Sequence, residues 1–217
     1  INYYKIMKLV IFDFCETLVN FQTADSFSRF VLEKESRNFI LKIDTLLDKI
    51  KFYRFCYKLN LDSWSQKKFL LSNLNGLSKE KIKSYAELFL ESKILPNLNE
   101  KVFEKFLNHL NANDFVIINS GGYQPYLDLF VNKYGVKMLF STEFKYEGSI
   151  FTGKIEGIDC LGQEKVRKMK EEGLNFNDYE EIIVYSDSIT DMPIFNLATT
   201  RVAIINKNSI PSWCKEK

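Results

Sequence analysis

Asp13 follows the stretch KLVIF (residues 8–12), which is apolar after Lys8, and Cys15 lies two residues after Asp13. A carboxylate in this position could act as a nucleophile that takes a phosphoryl group from a substrate, which divides one displacement into two easier ones. Asp187 and Asp191, in the stretch SDSITD, could join Asp13 around Mg²⁺, because carboxylate oxygens are ligands that this cation prefers. The three carboxylates therefore predict metal-assisted phosphoryl transfer.

Ser120 lies in the motif NSGGY, after another apolar run, and Lys165 lies in GQEK. The Ser120 hydroxyl and the amides of Gly121 and Gly122, at a helix start, could hold phosphate oxygens. Lys165 could neutralise the charge that a carboxylate nucleophile and a phosphate build up together. Each residue alone also fits an ordinary role: Asp13 and Ser120 as caps of a turn or helix, and Lys165 as a solvated helix residue. Their combination in this chain order favours the catalytic interpretation.

These residues need a scaffold in which several strand ends meet. Short runs rich in β-branched and aromatic residues predict five strands, apolar on both faces as in a buried parallel sheet, at residues 8–13, 115–119, 137–142, 181–187 and 201–206. The helical patterns YQPYLDLFVNKY and QEKVRKMKEEG lie between the later runs. This alternation predicts a doubly wound α/β sheet, whose ligands collect at the carboxyl ends of its strands.

The alternation stops between the first two strand runs. The stretches DSFSRFVLEKESRNFILKIDTLLDKIKFYRFCYKL and KEKIKSYAELFLESKIL have helical spacing and no internal proline, and Pro96 follows them. We expect residues 21–96 to form an all-helical insertion, and residues 1–20 and 97–217 to form a Rossmann-like core. Later, EFKYEGSIFTGKIEG alternates and turns at Glu147 and Gly148, which predicts a hairpin flap.

The composition restricts the partners. Thirty Lys and Arg against 28 Asp and Glu give a net charge of +2 over 217 residues, which provides no overall field for nucleic acid or an anionic membrane. The run LVIF is far too short to span a bilayer. Four scattered cysteines and a single His109 form no zinc-ligand pattern and are typical of a reducing compartment. We expect a cytoplasmic monomer or homodimer that binds a small molecule, not nucleic acid or a membrane.

The motifs FDFCETLV, NSGGY, GQEK and YSDSITDMPIF, in this order, resemble those of the haloacid dehalogenase superfamily, and in detail its phosphoserine-phosphatase-like branch. The helical insert is similar to the cap of that branch, and GSIFTGKIEG to its flap. The resemblance implies a Mg²⁺-dependent phosphatase that hydrolyses a small phosphorylated metabolite through an aspartyl-phosphate on Asp13. It also implies that Asp13, the Cys15 backbone carbonyl and Asp187 bind Mg²⁺, and that Asp191 is an outer ligand or water anchor.

Cys15 departs from the superfamily pattern, because its phosphatases usually have a second aspartate there as general acid and base. A cysteine keeps the backbone carbonyl but weakens proton transfer, which typically contributes about 10²–10⁴-fold. The neutral thiol could still donate a proton, and Glu16 is the other candidate. Two alternatives stay open: a catalytically weak or silent ligand-binding protein, and a hydrolase of C–P or C–halogen bonds.

Gln22 bears on the substrate. This sequence resembles the phosphoserine phosphatases, in which a glutamate shortly after the first motif holds the substrate amine. The aligned residue here is Gln22. A neutral amide cannot provide the same charge pairing. We therefore expect Gln22 to bind a small phosphate ester other than phosphoserine, such as an amino alcohol, sugar or polyol phosphate.

Overall fold

The computed structural model describes residues 8–59, 61, 64–205 and 214. Its strands within these residues are β1 Lys8–Phe12, β2 Phe115–Tyr123, β3 Met138–Thr142, β4 Phe144–Glu147, β5 Ile150–Ile155, β6 Glu181–Ser186 and β7 Thr200–Ala203. Its α-helices are α1 Thr23–Lys34, α2 Asn38–Lys49, α3 Phe52–Lys58, α4 Gln66–Ser72, α5 Lys79–Phe89, α6 Glu100–Asn111, α7 Gln124–Tyr134, α8 Gln163–Glu171 and α9 Met192–Phe195. Five strands form one parallel sheet in the order β3–β2–β1–β6–β7, and β4 pairs with β5 in an antiparallel hairpin.

The central strand β1 has a hydrophobic core on each of its faces. Phe12 packs against Phe106 of α6 on one face, with ring centroids 5.4 Å apart. Ile11 shares the other core with Met169 of α8 and Phe195 of α9. Because successive side chains of a strand point to opposite faces, a run that is apolar at every position requires helices on both sides. The predicted doubly wound α/β sheet is confirmed.

Helices α1 to α5 follow β1 before the chain returns to the sheet through α6 and β2, so the all-helical insertion after the first strand is also confirmed. The continuous helical pattern of residues 25–59 is divided into three helices. Ser36 and Lys51 lie at the breaks, with φ angles of 55° and 57° that a continuing right-handed helix does not allow. The exact bounds of the two domains stay a prediction.

Aromatic side chains join the helical insertion to α7 of the core. Phe27 of α1 and Phe89 of α5 lie 5.3 Å and 5.4 Å from the ring of Tyr126 of α7, between ring centroids. After α5 the chain continues as one π-helical turn, Leu90–Ile94, and a short 3-10 turn that contains Pro96. A proline cannot continue a helix because it has no N–H to donate, so the helical run from α5 stops at this turn.

The predicted hairpin is confirmed, with its turn placed one residue later. Glu147 pairs with Ile150, so Gly148 and Ser149 form the two-residue turn, and Gly148 has a φ of +61° that favours glycine. The hairpin packs against α4, where an added Cβ at Gly153 would approach a backbone carbonyl to 2.8 Å. No helix in the described part of the chain is long and apolar enough to cross a membrane.

The strand bounds differ from the sequence predictions where they meet the polar motifs. The first and fourth predicted strands end one residue earlier, so Asp13 and Asp187 lie just beyond β1 and β6. Strand β2 continues past Asn119 to Tyr123 with a shifted register against β3, so NSGGY belongs to a strand end and α7 begins only at Gln124. The end of the last predicted strand, Asn206, lies outside the described residues.

Candidate active site

The polar motifs meet at the carboxyl edge of the sheet. Strands β2, β1 and β6 are adjacent and parallel, so the residues at or just beyond their ends come together. A pocket of about 200 Å³ lies at this edge. The sequence-predicted residues that line it are Asp13, Cys15, Gln22, Ser120, Gly121, Lys165, Asp187 and Asp191.

Lys165 of α8 forms the base of the site. Its Nζ lies 2.9 Å from Asp13 Oδ1 and 2.7 Å from Asp191 Oδ2, and only 2% of its side chain is exposed. Asn119 holds the helix in place by donating from Nδ2 to the Lys165 carbonyl at 3.0 Å. Burial lowers the pKa of Lys165, but attraction by the two carboxylates outweighs burial, so the pKa is raised and the ammonium stays charged.

Asp13 and Asp191 are buried around that ammonium. Burial raises the pKa of Asp13 most, the charge of Lys165 lowers it, and the net direction is upward. Ser186 Oγ donates to Asp191 Oδ2 at 2.6 Å, whereas Asp191 Oδ1 is buried and has no hydrogen-bond partner among the described residues. A buried carboxylate oxygen without a donor is costly, so Asp191 suits a site that receives a cation or an ordered water.

Asp187 lies on the other side of Asp13. Thr17, which the sequence analysis did not select, links the two: its Oγ1 donates to Asp13 Oδ2 at 3.2 Å and to Asp187 Oδ1 at 3.4 Å. Burial, followed by repulsion from Asp13, Glu16 and Asp191, raises the pKa of Asp187 to about 7. The three aspartates carry more negative charge than Lys165 balances, and a bound divalent cation would relieve this excess.

The oxygen donors fit a hard divalent cation that keeps part of its water shell. No group of three or more His, Cys, Asp and Glu side chains in the described residues could hold a metal ion by itself. Small hard cations are usually bound through one or two carboxylates, with waters and substrate oxygens in the other positions. Asp13 and Asp187 fit that pattern, and Asp191, whose Oδ2 is taken by Lys165, fits an outer position.

Cys15 is enclosed by hydroxyl groups, of which the sequence analysis selected only that of Ser120. Its Sγ lies 2.9 Å from Thr23 Oγ1 and 3.8 Å from Ser120 Oγ, and Thr23 Oγ1 lies 2.7 Å from the hydroxyl of Tyr126. Burial, and next the charge of Asp13, raises the pKa of the Cys15 thiol above its ordinary value. The thiol is therefore neutral at physiological pH, and it can donate a proton more readily than it can accept one.

The two glycines after Ser120 have different surroundings. Gly121 lines the pocket, and its carbonyl accepts hydrogen bonds from Lys67 Nζ at 2.8 Å and from Thr142 Oγ1 at 3.2 Å. Gly122 does not line it, and an added Cβ there would lie 2.9 Å from the Tyr126 hydroxyl. Its N–H donates to Ser120 Oγ at 3.2 Å, so it orients that hydroxyl from behind the pocket.

The helical insertion supplies the remaining wall. Lys67 of α4 donates to both carboxylate oxygens of Asp159, at 2.8 Å and 2.7 Å, and thereby ties the insertion to the core. Gln22 lies at the mouth of the pocket and donates to Glu16, whose φ of 54° turns the chain there. Asp25 of α1 lines the same wall, and burial raises its pKa.

Lys67, Asp25 and Asp159 were missed by sequence reasoning because each looks like a solvated residue in its local stretch. Lys67 is one of two adjacent lysines in the helical pattern SQKKFLL, and Asp159 follows a flap with no motif around it. Only the packing of α4 on the core brings Lys67 to Asp159 and Gly121. Gly121 and Asp159 lie 54 and 92 residues after Lys67 in the chain, so the local spacing of residues does not indicate these contacts.

Comparison of the sequence with known proteins identifies one family. A family model for haloacid dehalogenase-like hydrolases matches residues 10–196. The chain is 24% identical to a histidinol-phosphatase of Neisseria meningitidis over 214 residues, which cover 96% of this chain and 95% of that protein. It is 26% identical to a phosphoserine phosphatase of Methanocaldococcus jannaschii over 209 residues, which cover 94% and 88% of the two chains.

A solved structure of a Bordetella pertussis protein of unknown function has the same fold. It superposes with a TM-score of 0.80 at 22% identity, and the match covers 97% of this chain and 94% of that one. At this level of identity the likeness shows the fold alone.

Proposed function

This chain belongs to the haloacid dehalogenase-like hydrolases, and from that premise we propose that it is a Mg²⁺-dependent phosphatase of small phosphorylated metabolites. The observation that carries the proposal is the buried Asp13–Lys165–Asp191 arrangement beneath a pocket lined by Ser120 and Asp187. The two curated relatives are named as phosphatases, which supports the reaction class. The pocket of about 200 Å³ suits a small substrate.

In this proposal an oxygen of Asp13 attacks the phosphorus, the P–O ester bond breaks, and the leaving alkoxide takes a proton from the Cys15 thiol or from water. Water then attacks the phosphorus of the aspartyl-phosphate, which releases phosphate and restores the carboxylate. Lys165 holds Asp13 in position and balances the charge, while the Ser120 hydroxyl and the Gly121 amide face the phosphate oxygens. Mg²⁺, held by Asp13, the Cys15 carbonyl and Asp187, would supply further positive charge to the phosphoryl group.

The same proposal includes the cellular location, the oligomeric state and the domain organisation of the protein. We place the protein in the cytoplasm as a monomer or homodimer, with residues 21–96 as a cap over the core of residues 1–20 and 97–217. The four cysteines are free thiols in the structure, and three of them are buried, which supports a reducing compartment. Contact of α4 with the pocket supports a cap that closes on a small ligand and excludes water.

A metabolite panel tests the reaction. Phosphate release is measured for phosphoethanolamine, phosphoserine, histidinol phosphate and glycerol phosphate, with Mg²⁺ and with EDTA. We expect release from at least one ester, its loss in EDTA, and its recovery when excess Mg²⁺ is added back. Absence of release from every ester, at enzyme concentrations that would detect one turnover per minute, would count against the proposal.

The charges of the pocket favour an ester whose alcohol carries an amine and no carboxylate. Both lysines that line the pocket are already paired, Lys165 with two aspartates and Lys67 with Asp159, and no arginine of the described residues lines it. A substrate carboxylate therefore meets no free cation there. Asp25, whose pKa is raised mainly by burial, would gain a partner from a substrate ammonium group. One of the two curated relatives is named a histidinol-phosphatase, and histidinol phosphate is an ester with an amine and no carboxylate.

Asp25→Asn tests this substrate class. We expect kcat/KM for phosphoethanolamine and histidinol phosphate to fall by about 10- to 100-fold, the size of a lost charge-assisted hydrogen bond. Glycerol phosphate, which has no amine, should change by less than about threefold. A uniform loss across all esters would show a structural effect and not amine recognition. A matched control is Asp128→Asn, since Asp128 of α7 also has a pKa raised by burial but does not line the pocket.

A further inference from the structure

The helices α2 and α3 expose large apolar side chains. Six side chains on α2, α3 and the residues next to them are between 53% and 83% exposed: Phe39, Leu46, Ile50, Phe55, Tyr57 and Leu59. Phe39, Leu46 and Ile50 are separated by seven and four residues, so they form one stripe along α2. An exposed cluster of this kind marks an interaction surface more often than a solvated face. We call these six residues and the cations among them the α2–α3 surface.

The same surface is basic. Five exposed cations lie on it, Lys42, Lys49, Lys51, Arg54 and Lys58, and no ion pair within the described residues includes any of them. The acids on the two helices do not balance them, because Asp44 is buried against Arg29 and only Asp48 is exposed. The near-neutral total charge of the chain therefore conceals a local excess of positive charge on one face.

An apolar cavity of about 560 Å³ opens beside this surface. Leu47 of α2, Phe52 of α3, Trp64, Phe69 of α4 and Ile155 of β5 line it. Trp64 is itself 59% exposed, so the cavity reaches the solvent at the edge of the α2–α3 surface. Apolar side chains, a basic rim and an adjoining apolar cavity together match the acyl region and the anionic headgroups of a lipid bilayer.

We propose that the α2–α3 surface binds the face of an anionic lipid bilayer, with the apolar side chains inserted at the headgroup boundary and the five cations among the headgroups. A second copy of the chain fits less well, because a symmetric contact would place the unpaired cations of both copies against each other. Nucleic acid fits less well because exposed Leu and Ile side chains gain nothing from phosphates. The proposal revises the expectation of no membrane partner, which rested on the total charge.

Co-sedimentation of the full chain with lipid vesicles tests the proposal. We expect binding to vesicles of equal parts phosphatidylcholine and phosphatidylglycerol, and none to vesicles of phosphatidylcholine alone. Removing three charges should lower the partition constant by about 100-fold, because each Lys or Arg near an anionic bilayer contributes roughly a factor of five. The charge variant carries Lys42→Gln, Arg54→Gln and Lys58→Gln. The matched control, with exposed lysines elsewhere, carries Lys101→Gln, Lys105→Gln and Lys137→Gln and should bind like the parent.

A second pair of variants tests the apolar part. Replacing Phe39, Leu46 and Phe55 by serine should lower binding at least about tenfold, whereas replacing the exposed Leu88, Ile158 and Ile205 should not. Circular dichroism establishes that each variant is folded. Absence of parent binding to anionic vesicles, or equal losses in the surface and control variants, overturns the proposal. A dimer in gel filtration that the Phe39, Leu46 and Phe55 changes abolish, without vesicle binding, overturns it in favour of a second copy.

Discussion

Asp13→Asn is expected to lower phosphate release by about 10⁵-fold or more, the scale on which loss of a covalent nucleophile acts. An amide oxygen is a far weaker nucleophile than a carboxylate, and it cannot form the aspartyl-phosphate from which water releases phosphate. The remaining groups, Lys165, Ser120 and Asp187, would still bind a phosphate ester. We therefore expect the loss in kcat, with little change in the affinity for the ester.

The fold should tolerate this substitution. Lys165 keeps its 2.7 Å contact with Asp191, so no buried ammonium is left without a carboxylate. Burial acts against the ionised form of Asp13 in the native state, so removing that charge does not remove a net stabilising group. We expect a melting temperature equal to or above that of the parent, as is common where a site holds buried charge for function.

Asp178→Asn is the matched control for Asp13→Asn. Asp178 is exposed and precedes β6, at the edge of the sheet opposite to the pocket. Its replacement should change neither rate nor melting temperature. If Asp13→Asn kept the parental rate, phosphate release would not proceed through Asp13, and the assigned mechanism would be wrong.

Cys15→Asp is expected to raise the turnover of alkyl phosphates by about 10²- to 10⁴-fold, the range that general acid-base catalysis contributes. An alkoxide must take a proton as it leaves, and the attacking water must then lose one. The Cys15 thiol has a pKa raised by burial and by Asp13, so it is a poor base at neutral pH. An aspartate at this position could serve both steps, and Thr23, 2.9 Å from the present sulfur, could orient it.

Esters with different leaving groups distinguish an effect on proton transfer from a general change in activity. Aryl phosphates release a stable phenolate that needs little protonation, so their turnover should change less than about threefold in Cys15→Asp. Cys15→Ser, which keeps a small polar side chain but no acid, should match the parent on both ester types. Equal gains for alkyl and aryl phosphates would refute a specific acid-base deficit. Because a second carboxylate beside Asp13 also changes the local charge, the Mg²⁺ dependence of each variant is measured in parallel.

The alternatives left open by Cys15 give different results in the same experiment. A ligand-binding protein that has lost only its proton transfer would gain phosphatase activity on Cys15→Asp while the parent stays silent. A hydrolase of C–P bonds would leave phosphate esters intact in both variants and would act on a phosphonate. The panel of esters and the variants thus test function and mechanism together.

Much of the scaffold could be predicted from local patterns. The runs LVIF and IIVY, shortly before Asp13 and Asp187, are apolar at every position, which only a sheet covered on both faces can bury, and the order of strands and helices then leads to a doubly wound sheet. Since parallel strands end at one edge, Asp13, Ser120 and Asp187 had to approach each other. Local pattern was less reliable at element ends: β2 continues through the glycines to Tyr123, because tertiary packing decides where a strand stops.

The sequence by itself determined the sheet, the helical insertion and the candidate catalytic residues, because strand and helix periodicities and short motifs are local properties of the chain. Only the tertiary structure decided what surrounds them. Lys67 contacts Asp159 across 92 residues, and Thr23, which also contacts Cys15, contacts Tyr126 across 103 residues. The net charge of +2 likewise gives no indication of the basic and apolar α2–α3 surface. Charge and hydrogen bonding depend on distances between side chains in space, and those distances exist only after the helices have packed on the sheet.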